Sequence, residues 1–158
     1  MHSFIYHCFR LTLFSLVFLI NPVMAEQPVN SKPFGVLDPD KFIQKLPEQS
    51  DRIVDHKTLF EGKHNGIRVF RIYNPVPAHY HEGSDTIVYL LEGEVSVAIN
   101  QGTPQRVKKG ALLHWSRGIV HAIPEIHSGT ATFFAIDTPK RDPADTVFID
   151  GKDVEVLQ

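Results

Sequence analysis

From Asp51 onward the chain breaks into short runs rich in Val, Ile, Phe and Thr. Gly, Asn or Pro interrupts them roughly every eight to ten residues, the rhythm of an all-β sandwich or barrel. The runs predict strands over 53–60, 66–73, 85–91, 94–99, 105–108, 112–115, 120–123 and 130–137. Within 94–99, Val95, Val97 and Ile99 alternate with Glu94, Ser96 and Ala98, so one face of that strand turns to a core. The chain has 158 residues, 42% of them hydrophobic, which is room for one domain with a real interior. No repeat or low-complexity segment divides it. Residues 51–138 are expected to form the barrel, and 139–158, with Pro139 and Asp142-Pro143 ahead of Thr146, a tail packed on its outside.

The N-terminus follows a different logic. Arg10 is the single charged residue of the first ten, the run 11–20 is apolar, Asn21 and Pro22 break it, and Val23-Met24-Ala25 has the spacing of a signal-peptidase site. Residues 1–25 therefore read as a secretory signal peptide cut after Ala25, which places the mature protein in the periplasm or outside the cell. A membrane anchor fits less well, because crossing a bilayer takes about 20 apolar residues and this run is roughly half that. The only cysteine, Cys8, lies inside the segment, so no disulfide framework is expected in the mature chain. Residues 26–50 read as an arm that is Pro-, Asn- and Ser-rich to about Asp38, followed by a short helix over 38–46. Asp38 is placed as its N-cap, Pro39 lies in the first turn, Phe42, Ile43 and Leu46 share a face, and Pro47 stops it. Lys plus Arg number 16 against 18 Asp plus Glu, a formal charge of −2, so there is no basic face for nucleic acid.

Chemistry concentrates in two places. In His79-Tyr80-His81, side chains two apart on extended backbone point the same way, so two imidazoles can reach one ion. The segment Asp85 to Val95 follows as strand, glycine turn at Gly93 and returning strand. A third histidine, His121, arrives at the end of a second strand and glycine turn that runs from Gly110 through His114-Trp115-Ser116-Arg117-Gly118.

The stretch from His79 to His121 resembles the two motifs of the cupin superfamily. His79, His81 and Gly93 match the first, which runs His, any residue, His, a short spacer, an acidic residue and a strand ending at Gly. Gly110, Gly118 and His121 match the second, with Ser116 where proline is usual. The resemblance implies a double-stranded β-helix, a small jelly-roll barrel with a short N-terminal arm or helix, whose interior holds a divalent metal on His79, His81 and His121. It departs from the family at the usual metal-binding glutamate, where counting back from Gly93 finds Thr86. Asp85 is adjacent but faces the other side of a regular strand. Either a bulge turns Asp85 inward as a conditional fourth ligand, or the site has three histidines and otherwise water. Tyr73 replaces the glycine that leads the first motif, and Glu125 falls where an Asn usually follows the last histidine.

Three neutral imidazoles suit Fe, Mn, Ni, Co, Cu or Zn alike. An ion with no carboxylate ligand keeps its full double charge, which favours a small anionic, chelating substrate polarised by a Lewis acid. Among cupins this implies either a metal-dependent oxidoreductase of dioxygenase type or a lyase or isomerase. The alternative is a non-catalytic small-ligand binding or sensing cupin, and a general base inside the barrel would separate the two classes. Asp85, Tyr89, His114 and Glu125 are the candidates for it. His56, His64 and His127 have no partner at ligand spacing and read as solvated, Trp115 as core or dimer contact, and Arg117 as a rim cation. Edge strands left open by a lone barrel, and the habit of small cupins, point to a homodimer.

Overall fold

The β-rich runs become strands almost residue for residue. The computed structural model describes residues 35–149. The expected secretory segment 1–25, the arm as far as residue 34 and the end of the tail, 150–158, lie outside the described residues. Among the described residues no helix is long and apolar enough to cross a membrane.

One short helix, α1 (Asp40–Ile43), precedes β1 (Val54–Glu61), β2 (Gly66–Ile72), β3 (Val76–His81), β4 (Asp85–Glu92), β5 (Glu94–Ile99), β6 (Gln105–Lys108), β7 (Leu112–Trp115), β8 (His121–Ile126), β9 (Ala131–Thr138) and β10 (Thr146–Phe148). They form two antiparallel five-stranded sheets, ordered β1-β2-β9-β4-β7 and β10-β3-β8-β5-β6. This is a double-stranded β-helix. The strands over 94–99, 105–108 and 112–115 fall where their alternation places them. β3 was not among the β-rich runs, since Pro77 and Ala78 interrupt its pattern. The tail does not simply lie outside the barrel. After β9 it returns as β10 and adds a strand beside β3, with Thr146 opposite His81 and Phe148 opposite His79.

The inner faces of the two sheets meet in one core of Ile72, Val88, Leu90, Val95, Val97, Trp115, Ile123, Ala131, Phe133 and Ala135. Phe133 and Leu90 are fully buried, each contributing roughly 1.5–3 kcal/mol by removal from water. Phe70 stacks on Phe133 across the β2–β9 ladder, ring centroids 4.9 Å apart. In β5, Val95 and Val97 enter the core as their alternation demands, but Ile99 at its end is exposed.

The outer face of the first sheet is only partly covered. Ile43 and Leu46 of the α1 segment pack there on Val69, with Phe42, Leu59, Leu91 and Phe134 around them. The helix is shorter than expected. Pro39 holds the N-cap position, and Asp38 contributes its carboxylate to the Asp40 N–H at 3.2 Å. Tyr73 explains itself here as well, since its hydroxyl donates to the Pro47 carbonyl at 2.7 Å and ties this segment to the end of β2.

Two glycine turns bring the site strands together. Gly93 joins β4 to β5 at φ 94°, and a Cβ there would lie 2.6 Å from the Thr130 carbonyl oxygen, so no other residue fits. Gly118 adopts φ 76° ahead of β8 and donates its N–H to the His81 carbonyl at 2.7 Å, so the turn is fastened to the strand that bears the histidine pair.

Candidate metal centre

β3 and β8 are hydrogen-bonded neighbours, with His79 opposite His121. Extended backbone puts His79 and His81 on one face of β3, and the register brings His121 to the same place. The rings lie close, with centroids 4.3 Å apart for His79 and His121 and 5.1 Å for each of the other two pairs. One nitrogen from each ring lies within 4.8 Å of the others, and all three residues are buried.

The backbone sets the tautomer of every ring. His79 Nδ1 meets the Pro77 carbonyl at 2.8 Å, His81 Nδ1 the Asp145 carbonyl at 3.2 Å, and His121 Nδ1 the Ile119 carbonyl at 2.9 Å. A carbonyl only accepts, so each Nδ1 carries the proton and each Nε2 keeps its lone pair. Burial reinforces the neutral form. It pushes His79 down to about 4, His81 to about 2 with the Arg141 charge assisting, and His121 to about 3 with His79 assisting. Three neutral, oriented imidazoles are a donor set that can hold one divalent ion.

The rings stand at one wall of a cavity of about 300 Å³ between the sheets. Trp115 stacks on His121 at 4.3 Å and 22°, and Phe148 of β10 lies 5.5 Å from the His79 ring. The position of the usual cupin glutamate is taken by Thr86, which is buried and donates its hydroxyl to Asp137 Oδ1 at 2.9 Å. Asp137 also receives Arg68, Nε to Oδ2 at 2.7 Å and Nη2 to Oδ1 at 3.2 Å. Burial alone would raise the Asp137 carboxyl, but the Arg68 charge and the bonds from Arg68 and Thr86 outweigh it and hold the group below its ordinary value.

Asp85 does not join the imidazoles. No bulge turns it inward, and its carboxylate takes the Arg117 backbone N–H at 2.9 Å and the Arg117 Nη2 at 2.9 Å. Those bonds hold it down to about 2. Arg117 is therefore engaged with Asp85. The other candidates for a general base also lie away from the cluster. Tyr89 and His114 are exposed on the outside of the first sheet, where His114 pairs with Ile87, and Glu125 is exposed beside His127 at 3.4 Å. None of these four lines the cavity that holds the imidazoles. His127 is bonded to the Ser96 hydroxyl at 2.8 Å, and His56, read as solvated, lines the cavity. Sequence reasoning missed Arg68, Asp137 and Arg141 as residues of this interior; the available signal was the inward register of β2 and β9, which puts Arg68 and Asp137 in rows otherwise filled by Phe70, Phe133 and Ala135.

Comparison with known proteins agrees with this geometry. The family model described as Cupin domain matches residues 71–137, which contain both motifs and all three histidines. No curated protein matches significantly. Among solved structures, KdgF from Halomonas sp. is 18% identical, with TM-score 0.54 and coverage of 64% of this chain and 95% of that one. An RmlC-like cupin with a double-stranded β-helix fold from Methanocaldococcus jannaschii is 17% identical, with TM-score 0.51 and coverage of 69% and 94%. The polyketide cyclase RemF from Streptomyces resistomycificus is 20% identical, with TM-score 0.55 and coverage of 73% and 87%. At these identities the likeness is one of fold. Motifs, family model and fold together identify residues 71–137 as a cupin domain.

Proposed function

We propose that this chain is an exported cupin that binds one divalent transition-metal ion on His79, His81 and His121 and acts on a small molecule held in the barrel cavity. One observation carries the reading: each Nδ1 is committed to a backbone carbonyl, which leaves three buried Nε2 lone pairs for a shared ion. When bound, the ion would supply Lewis-acid polarisation of an oxygen donor on the substrate, as oxygenase or as lyase and isomerase chemistry requires. The protein's part is to orient the imidazoles and to wall the substrate with Phe70, Phe133 and Trp115. Fe, Mn, Ni, Co, Cu and Zn all remain compatible with imidazole donors.

A second reading, a non-catalytic binding or sensing cupin, draws support from Asp137. It is the buried carboxylate of the cavity, and its bonds to Arg68 and Thr86 leave it poorly suited to take a proton. Export is supported by the apolar segment and the Val23-Met24-Ala25 site. A homodimer is supported by the exposed Ile87, Tyr89 and Leu112 on the outer face of β4 and β7.

The experiment is metal analysis of tag-free protein, as isolated and after reconstitution with each ion. Wild type is expected to hold one ion per chain and His121→Ala almost none. Equal metal content in the two proteins would end the metal reading. Turnover of candidate substrates by the loaded protein, set against binding without turnover, separates the enzyme from the binding module.

A further inference from the structure

The charged groups that line the cavity do not balance. Arg68, Lys140 and Arg141 face Glu61 and Asp137. Arg68 is joined to Asp137 at 2.7 Å, and Lys140 to Glu61 at 3.5 Å where both are exposed. Arg141 is left over. Among the described residues its hydrogen-bond partner is the Thr146 hydroxyl, a neutral group. The next carboxylate, Asp145, is taken by the Gly83 N–H at 2.6 Å and the Ser84 hydroxyl at 2.7 Å. The three histidines are neutral and cannot compensate it.

A half-buried guanidinium with no salt-bridge partner among the described residues is costly, and folded proteins ordinarily pair such charges. Burial, with the Arg68 charge assisting, pushes Arg141 down to about 9, far from the ordinary arginine range. Arg141 lines the same cavity as His79, His81 and His121. Apart from His56, Thr58 and Thr146 the rest of the lining is apolar, with Val54, Phe70, Ile72, Val88, Ile123 and Phe133 prominent. A planar cation with no salt bridge among the described residues, in a largely apolar cavity, is complementary to one negative charge on an apolar body, and the guanidinium fork matches a carboxylate in shape.

We propose that Arg141, backed by Arg68, is the anion-recognising group of this cavity and that the ligand is a small organic monocarboxylate with an apolar body. The inference deepens the proposed function and rests on the cavity being the ligand site, but it does not require the metal. Arg141 recognises and positions the ligand.

The test is calorimetric titration of the full chain, metal-free and metal-loaded, with benzoate, with uncharged benzamide and with inorganic phosphate. Wild type should bind benzoate and discriminate against both other probes. Arg141→Gln, which removes the charge, should lose at least about tenfold in benzoate affinity, the scale of a charge-assisted hydrogen bond, while its metal content stays that of wild type. His121→Ala should lose metal yet keep the preference of metal-free protein for benzoate over benzamide. The inference is overturned if benzamide binds as well as benzoate, if phosphate binds more tightly, or if folded Arg141→Gln binds benzoate like wild type. If Arg141→Gln does not fold, the benzoate and benzamide comparison on wild type decides alone. Benzoate discrimination in a wild-type protein that takes up no metal would sink the metal reading and leave this one standing.

Discussion

Thr86 and Asp137 are joined by a 2.9 Å hydrogen bond across the β4–β9 ladder, and the pair occupies the ground where cupins usually keep a metal-binding glutamate. The hydroxyl satisfies a buried carboxylate that Arg68 already neutralises. The buried carboxylate of this interior lies on the neighbouring strand and is bonded to an arginine.

Thr86→Glu would set a second carboxylate against Asp137. In metal-free protein it should destabilise the fold by roughly 2–4 kcal/mol, the scale for a buried polar group without a partner. A divalent ion offers the new carboxylate a partner, so thermal melting should show a larger metal-induced rise in Tm for Thr86→Glu than for wild type. Equal rises in the two proteins would show that position 86 does not face the ion.

Asp85→Asn should leave metal content unchanged, because the Asp85 carboxylate is committed to Arg117. Replacement of His79 or His81 by Ala should remove most of the metal, as for His121, since two ligands remain. Elemental analysis of the variants checks this, and loss of metal in folded Asp85→Asn would restore that residue to the ligand set.

Metal-free protein should unfold readily in mild acid. The buried histidines have folded values of about 4, 2 and 3 against an ordinary 6.5. A depressed value means that the unfolded chain binds protons first, so stability is intact above pH 6.5 and falls as pH drops below it. Each ring contributes at most about 1.4 kcal/mol per pH unit. Denaturant midpoints between pH 7 and pH 4 should fall more steeply for wild type than for His81→Ala. Parallel curves would contradict the burial of neutral rings.

Much of this site was legible in the sequence because its signals are local. His79-Tyr80-His81 needs only the two-residue period of a strand, and Gly93, Gly110 and Gly118 mark turns that backbone geometry demands at those points. Arg68 and Asp137 are 69 residues apart, and only the β2–β9 register brings them together. Arg141 lies in a Pro-interrupted tail with no periodicity, so nothing short of the fold could show it lining the cavity of the imidazoles. β10 escaped for the same reason: three residues carry too little alternation to read.

Leu112→Asp should weaken self-association. Leu112 is 68% exposed on β7, the edge strand of the first sheet, opposite Tyr89. If two copies meet on this face, light scattering should show wild type as a dimer and Leu112→Asp shifted toward monomer. A monomeric wild type at high micromolar concentration would refute the dimer.

Exported protein should begin at Glu26. Mass spectrometry of the N-terminus checks this, and retention of Met1 would count against cleavage after Ala25.

The His81 tautomer depends on a carbonyl 64 residues further along, at Asp145, in the short span that leads into β10. Synthesis therefore imposes an order on the site. A nascent chain that has emerged only through β9 owns all three imidazoles and every strand of the first sheet, yet His81 has no acceptor for its Nδ1 proton and β3 has an open edge. The Asp145 carbonyl and β10 are the last of the described elements to be made, so the orientation of the third imidazole is a late event in the folding of the chain.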